Sequence, residues 1–247
     1  MTDQQPFSGR IALVTGASGG IGRAIALALA DAGATVAVHY GSGADAAHAL
    51  ADTIASRGGR ATPFGADLRE PDAPVALVDR VAAQLGPIAV LVNNAGIGRR
   101  RSWEQTTRED FDESYAVNLR APFLSTRRAL PAMVDAGFGR VLFVSSVAAL
   151  TGGIVGPHYA AAKSGLHGLT HSLAGRLAGS GVTVNALAPA LIADTAMLPG
   201  DPGQLRSRIP VGRLGEPAEV ADLALSVMRN GYLTNQVISI DGGMFPS

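Results

Sequence analysis

Apolar residues are arranged along this chain in two alternating patterns. Short, almost unbroken apolar runs stand at IALVT (11–15), TVAVHY (35–40), ATPFGA (61–66), AVLVN (89–93), RVLFVS (140–145), VTVNALA (182–188) and QVISI (236–240). Between them lie longer alanine-rich stretches with helical spacing, at about 20–33, 44–57, 72–85, 107–136, 158–179 and 217–229. A strand with one wet face alternates apolar and polar residues, so unbroken runs predict strands covered on both faces. Strand and helix in regular alternation predict an α/β fold, a doubly wound parallel sheet of seven strands with helices on both sides. All 247 residues are expected to form one domain.

Two segments break the rhythm. Residues 190–212 follow Pro189 and hold Pro199, Pro202 and Pro210 without a strand or long helix, as expected of a lid over a site. Thr151-Gly152-Gly153-Ile154-Val155-Gly156 leads from the fifth strand to a helix, and ligands bind at such strand ends.

Composition narrows the chemistry. The chain has no cysteine, which excludes disulfides, thiolate catalysis and cysteine metal ligands. No His/Asp/Glu cluster has ligand spacing, so no metal site is expected. Twenty basic residues balance twenty acidic ones, so no overall field favours nucleic acid or a membrane. No apolar run approaches the ~20 residues that cross a bilayer. The N-terminus, MTDQQPFSGR, lacks the basic and apolar regions of a signal peptide. A cytoplasmic protein is the expectation. The local run Arg99-Arg100-Arg101 reads as a solvated turn or as a guide at substrate access or an interface.

The stretch TGASGGIG at 15–22 can be parsed in two ways. Gly16-Ala17-Ser18-Gly19-Gly20 fits a G-x-S-x-G nucleophile elbow, but an elbow needs an earlier strand–helix loop for its oxyanion hole, and Ser18 follows the first strand. The alternative is a phosphate-binding turn. Gly16 permits the tight turn, Gly20 a close backbone approach, and Gly22 close packing of the following helix, whose free N–H groups face an anion. The spacing is G-x3-G-x-G rather than the usual G-x-G-x-x-G.

This turn does not stand alone. Together with Asn93-Asn94-Ala95-Gly96, Ser146, Tyr159-Ala160-Ala161-Ala162-Lys163, VNAxAP at 184–189, IPVGRLGEP at 209–217 and IDGG at 240–243, it resembles the short-chain dehydrogenase/reductase family. The resemblance runs from about residue 8 to 244 in the family's order and spacing. It implies a single Rossmann-type domain, a nicotinamide cofactor and reversible carbonyl–alcohol redox chemistry.

Carbonyl reduction needs a proton donor for the oxygen. A tyrosine, ordinarily near pKa 10, becomes a better acid–base beside an ammonium, and Tyr159 and Lys163 are one helical turn apart. Ser146 precedes Tyr159 by the family's catalytic spacing. The resemblance then implies that Tyr159 moves the proton. Lys163 lowers the tyrosine pKa and binds the nicotinamide ribose, and Ser146 bonds the substrate oxygen. Asn118 positions a water linking Lys163 to solvent. It also implies cofactor contacts from Gly16, Ser18, Gly20, Ile21 and Gly22 around the pyrophosphate. Asp67 and Leu68 would lie at adenine, Asn94, Ala95 and Gly96 along the cofactor, and Ile192 and Thr195 at the carboxamide.

Where the family's NAD-using members carry an aspartate at the end of the second strand, this chain has Tyr40, so a 2′-phosphate is not repelled and NADP(H) is favoured over NAD(H). Gly19 stands where many NADP-using members carry a basic residue, leaving Ser42, backbone N–H groups and His39 to hold the phosphate. The pattern is closest to 3-oxoacyl-carrier-protein reductases and related ketoreductases. A small apolar wall of Val147-Ala148-Ala149-Leu150 and Ile154-Val155 suits an acyl chain or compact ketone. The docking arginines of those reductases are replaced by Gly137 and Ser180, a role the Arg99–Arg101 run could take. Ala190 and Asn235 replace family glycines, and one extra residue precedes Thr195. An NAD-dependent alcohol dehydrogenase of the same family is a second reading. A non-catalytic NADP(H) sensor is a third, although it would not need Ser146, Tyr159, Lys163 and Asn118 together. The resemblance also implies a homotetramer.

Overall fold

The computed structural model of the protein describes residues 5–195, 198 and 202–245. Seven strands form one sheet: β1 (Ile11–Val14), β2 (Thr35–Tyr40), β3 (Arg60–Gly65), β4 (Ile88–Asn93), β5 (Gly139–Val144), β6 (Val182–Pro189) and β7 (Val237–Ile240). The helices are α1 (Gly20–Asp31), α2 (Ala44–Ser56), α3 (Ala73–Leu85), α4 (Arg108–Tyr115), α5 (Ala121–Asp135), α6 (Ala148–Thr151), α7 (Pro157–Leu177), α8 (Pro202–Arg206) and α9 (Pro217–Arg229). The strand order is β3-β2-β1-β4-β5-β6-β7, and every pairing is parallel. The winding reverses between β1 and β4, which opens a crevice beyond their carboxyl ends.

The unbroken apolar runs follow from the pleat. Successive residues of a strand point to opposite faces, and both faces here are covered. Ala12, Val14, Val90, Val92, Leu142 and Val144 enter a core under α1, α2 and α9, with Leu29, Leu50 and Val220 from those helices. Leu13, Leu91, Val141 and Phe143 enter the opposite core, built with Leu77 of α3, Met133 of α5 and Leu166 of α7.

Three departures from the expected elements concern the site. The single helix expected over 107–136 is interrupted between α4 and α5 by a π-helical segment, Ala116–Arg120. An apolar period of 3.6 carries no sign of one extra residue in a turn, and such insertions frequently mark functional positions. The helices α6 and α8, of four and five residues, are too short to leave a periodic pattern. In the expected lid, Ile192 bridges to Gly215, and Leu191 and Asp194 have positive φ angles of 49° and 54°. Residues 196, 197 and 199–201, including Pro199, lie outside the described residues. Asn235, which stands for a family glycine, takes the left-handed conformation a glycine would take (φ 66°). Among the described residues no helix is long and apolar enough to cross a membrane.

Candidate active site

The glycine turn is held from below by side chains that stand just beyond β1 and β4. Thr15 Oγ1 accepts the N–H groups of Asn94 (2.9 Å) and Ala95 (3.0 Å). Asn94 Nδ2 in return donates to the carbonyls of Thr15 and Gly16, both at 3.0 Å. The amide of Asn94 therefore fixes the turn. Gly16 has φ +63°, and a Cβ there would lie 2.8 Å from Ala95 Cα, so only glycine fits. A Cβ on Gly22 would collide with the Gly16 carbonyl and Asn94 Nδ2. Gly20, also at positive φ, faces Thr195 from the lid, whose Oγ1 donates to the Ile192 carbonyl at 2.8 Å. The helix α1 begins with no side-chain cap and no acid in its first turn, leaving its N–H groups for an anion. Crowded glycines and an uncapped helix start fit the pyrophosphate of a dinucleotide.

At the neighbouring strand ends the structure corrects one expectation. His39 is buried, and its ring does not reach toward a 2′-phosphate. Its Nδ1 accepts the Gly16 N–H (3.0 Å), so Nε2 carries the proton and donates to the Ala66 carbonyl (3.1 Å). The ring thus ties β2 to the glycine turn and to the end of β3. Strand alternation puts Tyr40 and His39 on opposite faces, and the ring of Tyr40 lies over Gly65. Ser42 is exposed, and Ser18 Oγ packs against Gly43 in the same loop. The carboxylate of Asp67 is taken up by the N–H and guanidinium of Arg69, which holds it below the usual carboxylate range. Leu68 buries its side chain in the second core.

Burial pushes His39 down from 6.5 to about 4. Between those values the unfolded chain takes up a proton that the folded chain refuses. Stability is then full above pH 6.5 and falls as pH drops toward 4, by up to about 3 kcal/mol. His39→Gln is expected to flatten that part of the profile. Denaturant titrations of both proteins at pH 7 and pH 4 measure it, and equal losses would exclude the assignment.

The proposed catalytic side chains converge beyond β5. Lys163 is buried and donates from Nζ to the Val144 carbonyl at 2.7 Å. Its Nζ stands 5.7 Å from the centre of the Tyr159 ring. Ser146 Oγ accepts the Ala148 N–H at 3.1 Å, which leaves its own proton free to be donated, and it is hydrogen-bonded to Tyr159. Ser145 is committed elsewhere, to the Lys163 carbonyl (3.1 Å) and His167 Nε2 (2.9 Å). The expected depression of the Tyr159 pKa is not what this geometry produces. Burial pushes the phenol up to about 12, against the smaller opposing effect of Ser146, and burial pushes Lys163 down to about 8. Desolvation dominates because both groups are almost wholly enclosed.

Asn118 sits on the π segment, fully buried. Its amide pairs with both main-chain groups of Ile97 (3.0 and 2.9 Å) and donates to Ser114 Oγ (3.0 Å). Gly96 makes room for it: a Cβ there would lie 2.9 Å from Asn118 Oδ1 and 3.3 Å from Lys163 Nζ. Thr15 and Ser114 are the site-building residues that the sequence reading did not single out. Thr15 stood inside the quoted turn, and Ser114 one helical turn before Asn118.

An apolar cleft opens beside Ser146 and Tyr159, with a volume of about 190 Å³. Val147, Ala148, Ile154 and Val155 line it as expected. Ala149 and Leu150 do not line it, because the turn of α6 directs them away, and Leu150 is half exposed. The arginine run is partly engaged within the chain, with Arg100 left exposed. Arg101 Nε donates to the buried carboxylate of Asp110 (3.1 Å), Arg99 approaches the same group (3.8 Å), and the Arg101 N–H donates to the Val155 carbonyl.

A glycine-rich turn at the switch point of a parallel sheet is the arrangement of dinucleotide-binding proteins, and here a polar cluster stands beside an apolar cleft. Comparison with known proteins narrows that class. The sequence pattern of the short chain dehydrogenase family matches residues 10–202. The chain is 36% identical over 239 residues to the 3-oxoacyl-[acyl-carrier-protein] reductase FabG of Staphylococcus aureus, covering 95% of this chain and 97% of that one. It is 38% identical over 245 residues to the enzyme of the same name from Aquifex aeolicus, with 97% and 98% covered. Among solved structures, a blue fluorescent protein from a metagenomic library in complex with NADPH superposes with a TM-score of 0.91 at 35% identity, covering 98% of this chain and 100% of that one. The angucycline C-6 ketoreductase LanV with bound NADP gives 0.89 at 35% identity, with 97% and 96% covered. The chain belongs to the short-chain dehydrogenase family. It is an oxidoreductase similar to the 3-oxoacyl reductases.

Proposed function

We propose that the protein is an NADP(H)-dependent ketoreductase that converts a 3-oxoacyl or related compact ketone to a secondary alcohol. The observation that carries this reading is the convergence of Ser146, Tyr159 and Lys163 on one apolar cleft that also reaches Asn94 and Ile21 of the cofactor crevice. When bound, the dinucleotide supplies a hydride to the carbonyl carbon. The phenol of Tyr159 donates its proton to the carbonyl oxygen, and a group held near 12 is protonated at neutral pH, the state that reduction requires. The Ser146 hydroxyl donates a hydrogen bond to the same oxygen as charge develops on it. Lys163 anchors itself on Val144 and keeps further N–H donors for the ribose. With its side-chain amide committed to Ile97 and Ser114, Asn118 would hold a water through its main chain.

The preference for NADP(H) rests on Tyr40 in place of a carboxylate, with Ser42 and Ser18 beside it. The complexes of two structural relatives with NADPH and NADP support it. Cofactor oxidation by the purified protein on a small 3-oxo ester, with NADPH and NADH in parallel, tests both claims. Turnover dominated by NADPH is expected. Tyr40→Asp is expected to reverse the preference by roughly tenfold or more, since it places a carboxylate against the 2′-phosphate. Silence with both cofactors would instead favour another substrate or a sensor.

A further inference from the structure

Among the described residues the cleft is lined by two cations and no acid. Lys163 lies at its floor among the catalytic groups, while Arg208 stands at its mouth beyond the turn of α8. Arg208 is exposed, and among the described residues its guanidinium has no hydrogen-bond or ion-pair partner. Among the described residues, two acids of neighbouring segments are engaged elsewhere. Glu219 is paired with Arg213 (2.6 Å), and the Asp241 carboxylate accepts the N–H groups of Gly243 (2.9 Å) and Phe245 (3.1 Å). Ile154, Val155, Leu205 and Met244 are among the apolar walls of the same cleft. A charge beside low-dielectric walls acts over a longer range than one on an open surface. A guanidinium also offers a planar fork that matches carboxylate or phosphate oxygens. A neutral ketone would leave that fork idle.

We propose that the ketone substrate carries an anionic group, a carboxylate or a phosphate, and that Arg208 binds it at the mouth of the cleft. This rests on the ketoreductase reading. The carbonyl sits at Ser146 and Tyr159, an apolar segment crosses the cleft, and the charged end meets Arg208. The substrate is thus selected at both ends.

The test compares matched ketones in the wild type, Arg208→Met and Arg208→Lys. One pair is ethyl 3-oxohexanoate and the ester in which its terminal methyl is a carboxylate. The other is 3-oxobutanoyl pantetheine and its 4′-phosphate. The expected result is that Arg208→Met lowers kcat/KM for the anionic member of one pair about tenfold more than for its neutral partner. The loss should fall mainly in KM, be partly restored in Arg208→Lys, and shrink as salt is raised. The pair that responds names the source of the charge. Equal losses for both members of both pairs would overturn the proposal, as would an effect confined to the KM for NADPH. Turnover of the neutral ketones with no role for charge would overturn this inference alone. Failure of the wild type on all four ketones would overturn the ketoreductase reading and this inference together.

Discussion

Tyr159→Phe is expected to lower ketone reduction by roughly 10³-fold while the cofactor still binds. The substitution removes one hydroxyl and keeps the ring, which is 5% exposed and packed in place, so the loss reads the proton transfer rather than a collapse of the site. Steady-state oxidation of NADPH on the 3-oxo ester measures the rate, and quenching of protein fluorescence by NADPH measures binding. Turnover within a few-fold of wild type would exclude Tyr159 as the proton donor. The Ser146 hydroxyl, left with its proton free by the Ala148 N–H, would then be the next group to examine.

Gly22→Ala is expected to destabilise the protein by about 1–3 kcal/mol and to weaken dinucleotide binding by at least tenfold. The sign is informative because alanine in a helix is ordinarily better than glycine by about 1 kcal/mol. Here the added Cβ meets the Gly16 carbonyl and Asn94 Nδ2, the two groups that hold the glycine turn together. Relief requires moving the turn away from β4, which misplaces the N–H groups at the start of α1. The comparison is Gly168→Ala on α7, where a Cβ would meet nothing within 4 Å and the helix propensity gain should appear. Denaturant unfolding of both variants decides the matter. A Gly22→Ala protein as stable as Gly168→Ala would show that the turn has room to spare.

The sequence by itself determined the layers and named the candidate site. Seven unbroken apolar runs could be strands only if both faces were covered, and that requirement alone implies the doubly wound sheet. Strand boundaries fell within a residue or so of the runs because apolar burial ends where the strand leaves the sheet. Ser146, Tyr159 and Lys163 were legible through the resemblance to the short-chain dehydrogenase/reductase family, since a tyrosine and a lysine one helical turn apart are common on helix surfaces.

Tertiary structure decided what local pattern cannot encode. His39 could serve a phosphate or the fold, and only the approach of Gly16 and Ala66 from two other strands commits it to the fold. The π segment places Asn118 through one residue more than a helical repeat predicts. The arginine run was ambiguous until Asp110, from a different element, closed on two of its members. Tyr159 takes its high pKa from enclosure, a property of everything packed around it that no neighbour in the sequence reports. Periodicity reports which face of an element is dry. Which groups meet across elements depends on contacts between residues far apart in the chain, and these arise only when the layers close.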